Sequence, residues 1–280
     1  MAKSRKRAEK AESRKVLADT MTTVEMAAHR RSNGIVLLPV GCFEMHGVQL
    51  GLGCDTFEAD AACRILAEEW NAVVMPPIYY TYSGATAPWP GTVSILPEAA
   101  VAYVAAVAKA ILKTGFKRVV LVSIHGPSDW YLSMVLRSVF EETGELPIMF
   151  KPKWEEFWRR VEKEYGQPYG SEASYLAALY ICGRHGEFDP HATEAEALER
   201  TIPVESLMKL AKHGVVAPYR YLRPEDHVGR HPGLEMDDAP RLAEIFREAI
   251  LEAARGLPED YERYQQDMWK ALKEAPWDKL

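Results

Sequence analysis

Short apolar runs alternate with longer segments of helical periodicity through the first half of the chain. The runs have the length of strands, and their apolar character is continuous, which is typical of strands covered on both faces. They span residues 35–40, 73–75, 119–124 and 146–150. Helical spacing and end signals predict helices over residues 17–31, 57–70, 97–114, 129–143, 154–165, 171–181, 193–200 and 240–255.

Strands that alternate with helices of this length form βαβ units. The pattern therefore predicts an α/β fold with a mostly parallel sheet covered by helices. No internal repeat, low-complexity tract or linker interrupts it. We expect a single domain over residues 17–280, preceded by a basic, flexible arm over residues 1–16.

The composition is that of an ordinary globular protein, with 48% hydrophobic and 26% charged residues. It excludes a disordered or fibrous chain. The formal net charge of −6 is unevenly placed, because residues 1–15 carry +5 and the remainder carries −11. An acidic body argues against nucleic acid as a partner. Binding through the basic arm would instead need a salt-dependent affinity that deletion of residues 1–15 abolishes.

Four cysteines without a C-x-x-C pair are too few for a disulfide scaffold. The longest apolar stretch, Ala99–Ala108, is well below the roughly 18 residues that a membrane-spanning helix needs. No apolar segment of the secretory type follows the basic arm. A cytoplasmic protein without a membrane partner is expected.

Candidate chemistry follows the first strand. Glu44 and His46 are two residues apart, so both side chains point to the same side of an extended segment. The glycines at 47, 51 and 53 would let the chain curl back and bring Asp55 to the same place. These residues suit a metal site. A polar loop in which the Glu and the His pair with each other is the alternative.

Two further clusters lie later in the chain. His125 follows the third strand directly and precedes Gly-Pro, either as a functional residue or as part of a helix cap. His191 precedes Glu194 and Glu196, which the first turn of a helix would also accommodate. The other histidines lack such context and are expected on the surface or in loops: His29, His185, His213, His227 and His231.

Taken together, these clusters resemble the motifs of the creatininase (creatinine amidohydrolase) family of metal-dependent hydrolases. The order and spacing agree over roughly residues 20–255. The family reads L-P-x-G-x-x-E-x-H-G-x-H-L-P with a following D-T, then F-P-G-T, then R-V-V-L-V-N-x-H-G-G-N, then H-A-G-E-x-E-T. The matching segments here are LPVGCFEMHGVQLGLGCDT (38–56), WPGT (89–92), GFKRVVLVSIHG (115–126) and HATEAE (191–196).

The resemblance implies a three-layer α/β sandwich and a divalent metal centre with two ions per chain. Nitrogen and oxygen ligands without a thiolate suit Zn, Mn or Fe. Asp55 would bridge the ions, His191 would transfer a proton to the leaving group, and Glu194 would be a second catalytic residue. The implied metal ligands are Glu44, His46, Asp55, His125 and Glu196.

The chain departs from the family pattern around these positions. Gln49 replaces the second histidine of H-G-x-H, Gly51 the following proline, Pro127 the second glycine of H-G-G-N, and Thr86 the histidine of a frequent E-H. Since decay would not spare the ligands selectively, we interpret this as a retained hydrolytic centre with an altered substrate pocket. Trp89 and Trp130 are candidate substrate-binding residues, although core positions would also explain them.

The resemblance implies a hydrolase in which metal-bound hydroxide attacks the carbonyl of a small cyclic amide or related ring compound. A ring-opening C–C hydrolase of an inositol-derived cyclic diketone is the alternative within enzymes. A non-catalytic, metal-containing binding protein is the alternative of another class, and replacing His191 would leave its ligand affinity intact. The family also implies a homo-oligomer, with a hexamer as its expected size.

Overall fold

Parallel strands form the centre of the protein in the computed structural model, which describes residues 15–189 and 233–274 together with positions 206, 209, 210 and 213. The described strands form one four-stranded sheet in the order β2-β1-β3-β4, and all neighbouring pairs are parallel. Val36 lies opposite Val73 on one side and Val119 on the other. The strands are β1 (Ile35–Pro39), β2 (Val73–Val74), β3 (Arg118–Val122) and β4 (Ile148–Phe150).

Eight α-helices lie within residues 15–189 and 233–274. Seven of the eight predicted helices fall in these ranges; six of them are confirmed to within three residues at each end, and the first begins six residues later than predicted. The helix predicted over residues 193–200 lies outside the described ranges. The helices are α1 (Thr23–Ser32), α2 (Cys54–Trp70), α3 (Pro97–Lys113), α4 (Ser128–Thr143), α5 (Glu155–Tyr165), α6 (Ser171–Ile181), α7 (Ala239–Ala253) and α8 (Leu257–Lys273).

The predicted start of the first helix at residue 17 is wrong. Leu17 instead makes a parallel bridge to Val74 at the edge of the sheet. The helix begins at Thr23, because the Thr22 hydroxyl accepts the Glu25 N–H and the Glu25 carboxylate accepts the Thr22 N–H. This capping box satisfies two amide groups that the first turn leaves without helical partners.

The two faces of the sheet are covered by different helices. Ile35 and Leu37 pack into a core with residues of α2, α5, α6, α7 and α8. Val36 and Leu38 alternate with them and pack against α3 and α4 on the opposite face. Because side chains along a strand alternate between faces, the continuous apolar run fills both cores. The three-layer α/β sandwich is confirmed.

One histidine expected on the surface is buried. His29 on α1 is 8% exposed, and its Nε2 lies 3.2 Å from the Ile35 carbonyl oxygen. It therefore helps to join α1 to the start of β1.

Within the described residues, no helix combines the length and apolar character needed to cross a membrane. The single domain and the basic arm stay predictions, since residues 1–14 and most of 190–232 lie outside the description.

Candidate metal centre

The chain folds back beyond β1 as a small hairpin over residues 44–52, which we call the metal hairpin. The Glu44 N–H donates to the Leu52 carbonyl oxygen at 2.9 Å, and His46 pairs with Leu50 in an antiparallel bridge. This pairing places the Glu44 and His46 side chains beside the carboxyl edge of the sheet, where ligands of parallel α/β proteins gather.

A close backbone approach brings the first turn of α2 to the same edge. A Cβ on Gly41 would lie 2.2 Å from the Thr56 hydroxyl and 2.4 Å from its Cα, so only glycine permits this contact. The Thr56 hydroxyl donates to the Cys42 carbonyl oxygen at 3.2 Å. Asp55, which precedes Thr56, therefore lies next to the metal hairpin, as the glycine spacing predicted.

The W-P-G-T segment packs against the metal hairpin from the other side. The Met45 N–H donates to the Thr92 hydroxyl at 2.9 Å, and the Val93 N–H donates to the Phe43 carbonyl oxygen at 2.9 Å. Gly91 has a φ of +87°, which favours glycine. The motif thus supports the backbone that presents Glu44 and His46.

The structure brings four predicted ligands together: Glu44, His46, Asp55 and His125 are each at most 5% exposed. His125 Nδ1 lies 3.0 Å from a Glu44 carboxylate oxygen and 2.9 Å from Asp55 Oδ2. His46 Nε2 lies 3.2 Å from Asp55 Oδ1. Asp55 therefore stands between the two imidazole rings, with one oxygen facing each. The alternative of a simple Glu–His pair in a polar loop does not describe this arrangement.

The far nitrogen of each ring is bonded to a backbone carbonyl. His125 Nε2 lies 2.9 Å from the Tyr82 carbonyl oxygen, and His46 Nδ1 lies 3.1 Å from the Glu44 carbonyl oxygen. A carbonyl oxygen only accepts, so these nitrogens hold the hydrogen. In the neutral ring, the nitrogen that faces Asp55 then presents a lone pair. Histidines that ligate metals are oriented in this way by their second nitrogen.

Lone pairs directed at carboxylates require a positive charge between them. Asp55 Oδ2 is buried and has no hydrogen bond to a described group, although His125 Nδ1 is 2.9 Å away. Glu44, His46 and Asp55 each offer a ligand atom, and these atoms lie within 4.8 Å of one another. Buried nitrogen and oxygen donors at these separations fit a divalent metal such as Zn or Mn.

The pKa shifts of these groups in the metal-free protein also show that the site favours a positive charge. Burial lowers the pKa of each ring, but the Asp55 carboxylate, with Glu44 as the second contributor, outweighs it and raises the pKa of His46 to about 9 and that of His125 to about 10. Burial would raise the pKa of Asp55, yet the two imidazoles hold it well below its usual range. Burial raises the pKa of Glu44. A bound cation would replace the protons on the rings.

Sequence reasoning missed several groups that support the ligands. Thr86, noted only as a departure, donates its hydroxyl hydrogen to Glu44 Oε2. Lys151 Nζ donates to the His125 carbonyl oxygen at 3.2 Å. The Cys42 sulfur lies within 4.8 Å of ligand atoms of Glu44 and His125, so a buried thiol borders a site expected to lack one. Only the position of Thr86 before the W-P-G-T segment could have signalled its role.

The two tryptophans differ in placement. Trp89 is 5% exposed, and its backbone N–H donates to the Thr86 carbonyl oxygen at 3.0 Å. Trp130, in the first turn of α4, is 65% exposed. Their substrate-binding roles stay predictions. The roles of three further residues also stay predictions, because they lie outside the described residues: His191, Glu194 and Glu196.

The chain is similar in sequence to hydrolases of known function. It is 30% identical over 192 residues to the 3-dehydro-scyllo-inosose hydrolase of Thermotoga maritima, a match that covers 62% of this chain and 59% of that protein. It is 29% identical over 126 residues to the creatinine amidohydrolase of Pseudomonas putida, covering 43% of this chain and 48% of the relative. The matches thus span about half to three fifths of the length of these curated relatives.

Solved structures show the same fold. A creatinine amidohydrolase crystal structure superposes with a TM-score of 0.63 at 18% identity, over 88% of this chain and 98% of the other. A manganese form of creatininase superposes with a TM-score of 0.60 at 18% identity, over 86% and 98%. The creatinine amidohydrolase family model matches residues 19–256. With a match of that length over motifs that place four buried ligand candidates together, this chain belongs to the creatininase family.

Proposed function

We propose that this chain is a metal-dependent hydrolase acting on the carbonyl of a small ring compound. The observation that supports it best is the buried convergence of Glu44, His46, Asp55 and His125, in which each imidazole bonds a backbone carbonyl through one nitrogen and directs the other at a carboxylate. When bound at such a site, divalent ions activate water at neutral pH and polarise a carbonyl group. The relatives named above are hydrolases by their names.

The donor set divides into two groups that share one carboxylate. His125 faces Glu44 and one oxygen of Asp55, and His46 faces the other oxygen of Asp55. These groups would hold one ion each, with Glu196 as the remaining carboxylate of the second. Asp55 is the bridging candidate because its two oxygens already face different rings. The metal is Zn, Mn or Fe on the chemistry of the donors.

The chain's own residues fix and enclose these ligands. The Tyr82 and Glu44 carbonyl oxygens hold the rings in one tautomer, and Thr86 holds the second oxygen of Glu44. Burial excludes bulk water and strengthens each electrostatic contact. We assign proton transfer to the leaving group to His191, with Glu194 as a second catalytic residue, on the family motif that they occupy.

Two classes of substrate contain the ring carbonyl that this proposal requires. A cyclic amide is our first candidate, since a relative is named creatinine amidohydrolase and the family model bears that description. A cyclic polyhydroxylated ketone opened at a C–C bond is the second, favoured by the longer match to the 3-dehydro-scyllo-inosose hydrolase. Assays of creatinine-like lactams and of keto-inositols, run side by side, distinguish the two candidates. If the protein turns over neither class, both candidates are contradicted.

Metal content per chain is the first test. We expect about two equivalents of Zn, Mn or Fe by mass spectrometry, falling to one or none in Asp55→Asn. Asp60→Asn is the matched control, because Asp60 is a buried aspartate of α2 that pairs with Arg64 at 2.8 Å rather than with the site. No metal in the wild type, and no uptake on adding it back, would contradict the hydrolase proposal.

His191→Ala separates an enzyme from a binding protein. An enzyme loses turnover in this variant, whereas a non-catalytic binding protein keeps its ligand affinity and its role.

The homo-oligomer expected from the family is checked by light scattering of the wild type.

A further inference from the structure

Helix α6 contacts the metal hairpin at positions other than those that meet the W-P-G-T segment. Two of the positions at which this chain departs from the family motif, Gln49 and Gly51, are the hairpin residues that meet α6. Their partners, Glu172 and Tyr175, lie one turn apart on that helix. The departures thus form one contact surface.

Gln49 is bonded at both ends of its amide. Its Nε2 donates to Glu172 Oε1 at 2.7 Å, and its Oε1 accepts the Val48 N–H at 3.0 Å. Gln49 is 8% exposed and Glu172 is 5% exposed. Glu172 occupies the first turn of α6, where the helix dipole favours a carboxylate. Breaking a hydrogen bond between two buried side chains leaves a donor or an acceptor unsatisfied, which is costly.

Gly51 allows a second contact with the same helix. A Cβ at this position would lie 2.3 Å from the Tyr175 hydroxyl oxygen, so any other residue would require the Tyr175 side chain or the hairpin to shift. Tyr175 is itself 8% exposed and packs in the core that covers this face of the sheet. Both the tip and the returning limb of the hairpin are therefore fixed to α6.

The outgoing limb of the hairpin bears the ligands. His46 pairs with Leu50, and the Glu44 N–H donates to Leu52. Leu50 and Leu52 flank Gly51, so a shift of the tip or of the returning limb is transmitted to His46 through backbone pairing. Gln49 itself is three residues from His46.

We propose that Gln49 and Glu172 are positioning residues that set the geometry of the metal centre by fixing the metal hairpin to α6. The inference rests on the proposed function, because it concerns how His46 is presented to a metal. Gln49 and Glu172 act through the hairpin rather than as ligands or reacting groups. Their loss is expected to alter metal affinity and coordination before it alters the fold.

The test is a charge swap between the two positions. Glu172→Gln keeps an oxygen that accepts from Gln49, so Zn²⁺ affinity should stay within about threefold of wild type. Gln49→Glu places two carboxylates face to face and should weaken Zn²⁺ binding by about tenfold to a hundredfold. The double variant Gln49→Glu/Glu172→Gln restores a hydrogen bond with the same total charge, and its affinity should return towards wild type.

Two measurements are made on each variant. Competition with a chelator gives the Zn²⁺ dissociation constant, and the visible spectrum of the Co²⁺-loaded protein reports coordination geometry. We expect the Co²⁺ spectrum to change in Gln49→Glu and to recover in the swap. Should Gln49→Glu fail to fold, Gln49→Met removes the same hydrogen bond without adding charge and is expected to weaken binding as well.

Gln265→Glu is the matched control. Gln265 is a buried glutamine on α8 whose Nε2 donates to the Lys117 carbonyl oxygen at 2.8 Å, at the opposite edge of the sheet. It should lower stability but leave the Zn²⁺ affinity and the Co²⁺ spectrum unchanged. A loss of affinity in Gln265→Glu equal to that in Gln49→Glu would overturn positioning in favour of general destabilisation.

Other outcomes are equally decisive. If Gln49 and Glu172 influenced the metal only through the charge at their positions, Gln49→Glu would bind Zn²⁺ more tightly and Glu172→Gln more weakly. That result would overturn the proposal. Wild-type affinity and spectrum in Gln49→Glu would overturn it too. Absence of metal binding by the wild type would instead contradict the proposed function, so the two failures are distinguishable.

Discussion

Glu58 is a buried carboxyl group behind the metal centre, and its titration should make the stability of the metal-free protein depend on pH. It lies on α2 and is 5% exposed. The Ser174 hydroxyl donates to its Oε1, and the Cys54 sulfur lies 3.7 Å from the same oxygen. Burial is the largest influence on the pKa of Glu58 and the neighbouring Asp55 carboxylate acts in the same direction, and together they raise it to about 7 against the opposing hydrogen bond from Ser174.

The magnitude follows from the two pKa values of Glu58. An ordinary glutamate in the unfolded chain titrates at 4.5, against about 7 in the fold. The folded state therefore keeps a proton that the unfolded state loses. Stability from this group is fully present below pH 4.5 and is lost as the pH rises through about 7. The difference amounts to about 3 kcal/mol in total, of which roughly 2–3 kcal/mol falls between pH 5 and pH 8.

Glu58→Gln removes this titration and keeps an oxygen that accepts from Ser174. With chelator present, urea denaturation at pH 5 and pH 8 gives the free energy of unfolding of both proteins. We expect the wild-type value to fall by roughly 2–3 kcal/mol more than that of the variant across this interval. Glu162→Gln is the matched control, because it removes one carboxylate at an exposed position on α5. Its free energy of unfolding should change with pH as the wild-type value does. Parallel pH profiles for wild type and Glu58→Gln would refute the reasoning.

Two further substitutions test contacts around the ligands. Thr86→Val leaves Glu44 Oε2 without its donor, so Zn²⁺ affinity measured by chelator competition should fall by about tenfold to a hundredfold; an unchanged affinity would contradict this role. Gly51→Ala forces a Cβ against the Tyr175 hydroxyl and should cost about 1–3 kcal/mol of unfolding free energy. Tyr175→Phe should recover part of that loss, whereas additive effects in a double-mutant cycle would contradict the close contact.

The sheet and its covering helices could be predicted from the sequence because their signals are local. The run over residues 35–40 is apolar at every position, and the structure buries alternate residues in two different cores. Helix α6 was predicted over residues 171–181 and is observed at Ser171–Ile181. The start of α1 was missed although Thr22 and Glu25 hold the spacing of a capping box.

The geometry of the candidate site was predictable where ligands follow strands or share a short segment. Glu44 and His46 point the same way because they are two apart, and His125 joins them because β1 and β3 are adjacent. The supporting contacts were not predictable, because they join distant parts of the chain. Gln49 and Glu172 are 123 residues apart, and no local pattern pairs them. Such contacts depend on how α6 packs over α2.

The departures from the family motif acquire a physical meaning once these contacts are known. Gln49 and Gly51 meet α6, and Thr86 holds Glu44, so three of the changed positions contact groups that support the ligands. The candidate ligands are thus held in part by contacts at positions where this chain departs from the family motif. The altered substrate pocket predicted from the departures stays a prediction. Because the Gln49 and Thr86 side chains are engaged with protein groups and Gly51 has no side chain, residues that select the substrate should be sought elsewhere. The segment that contains His191 is the first place to mutate.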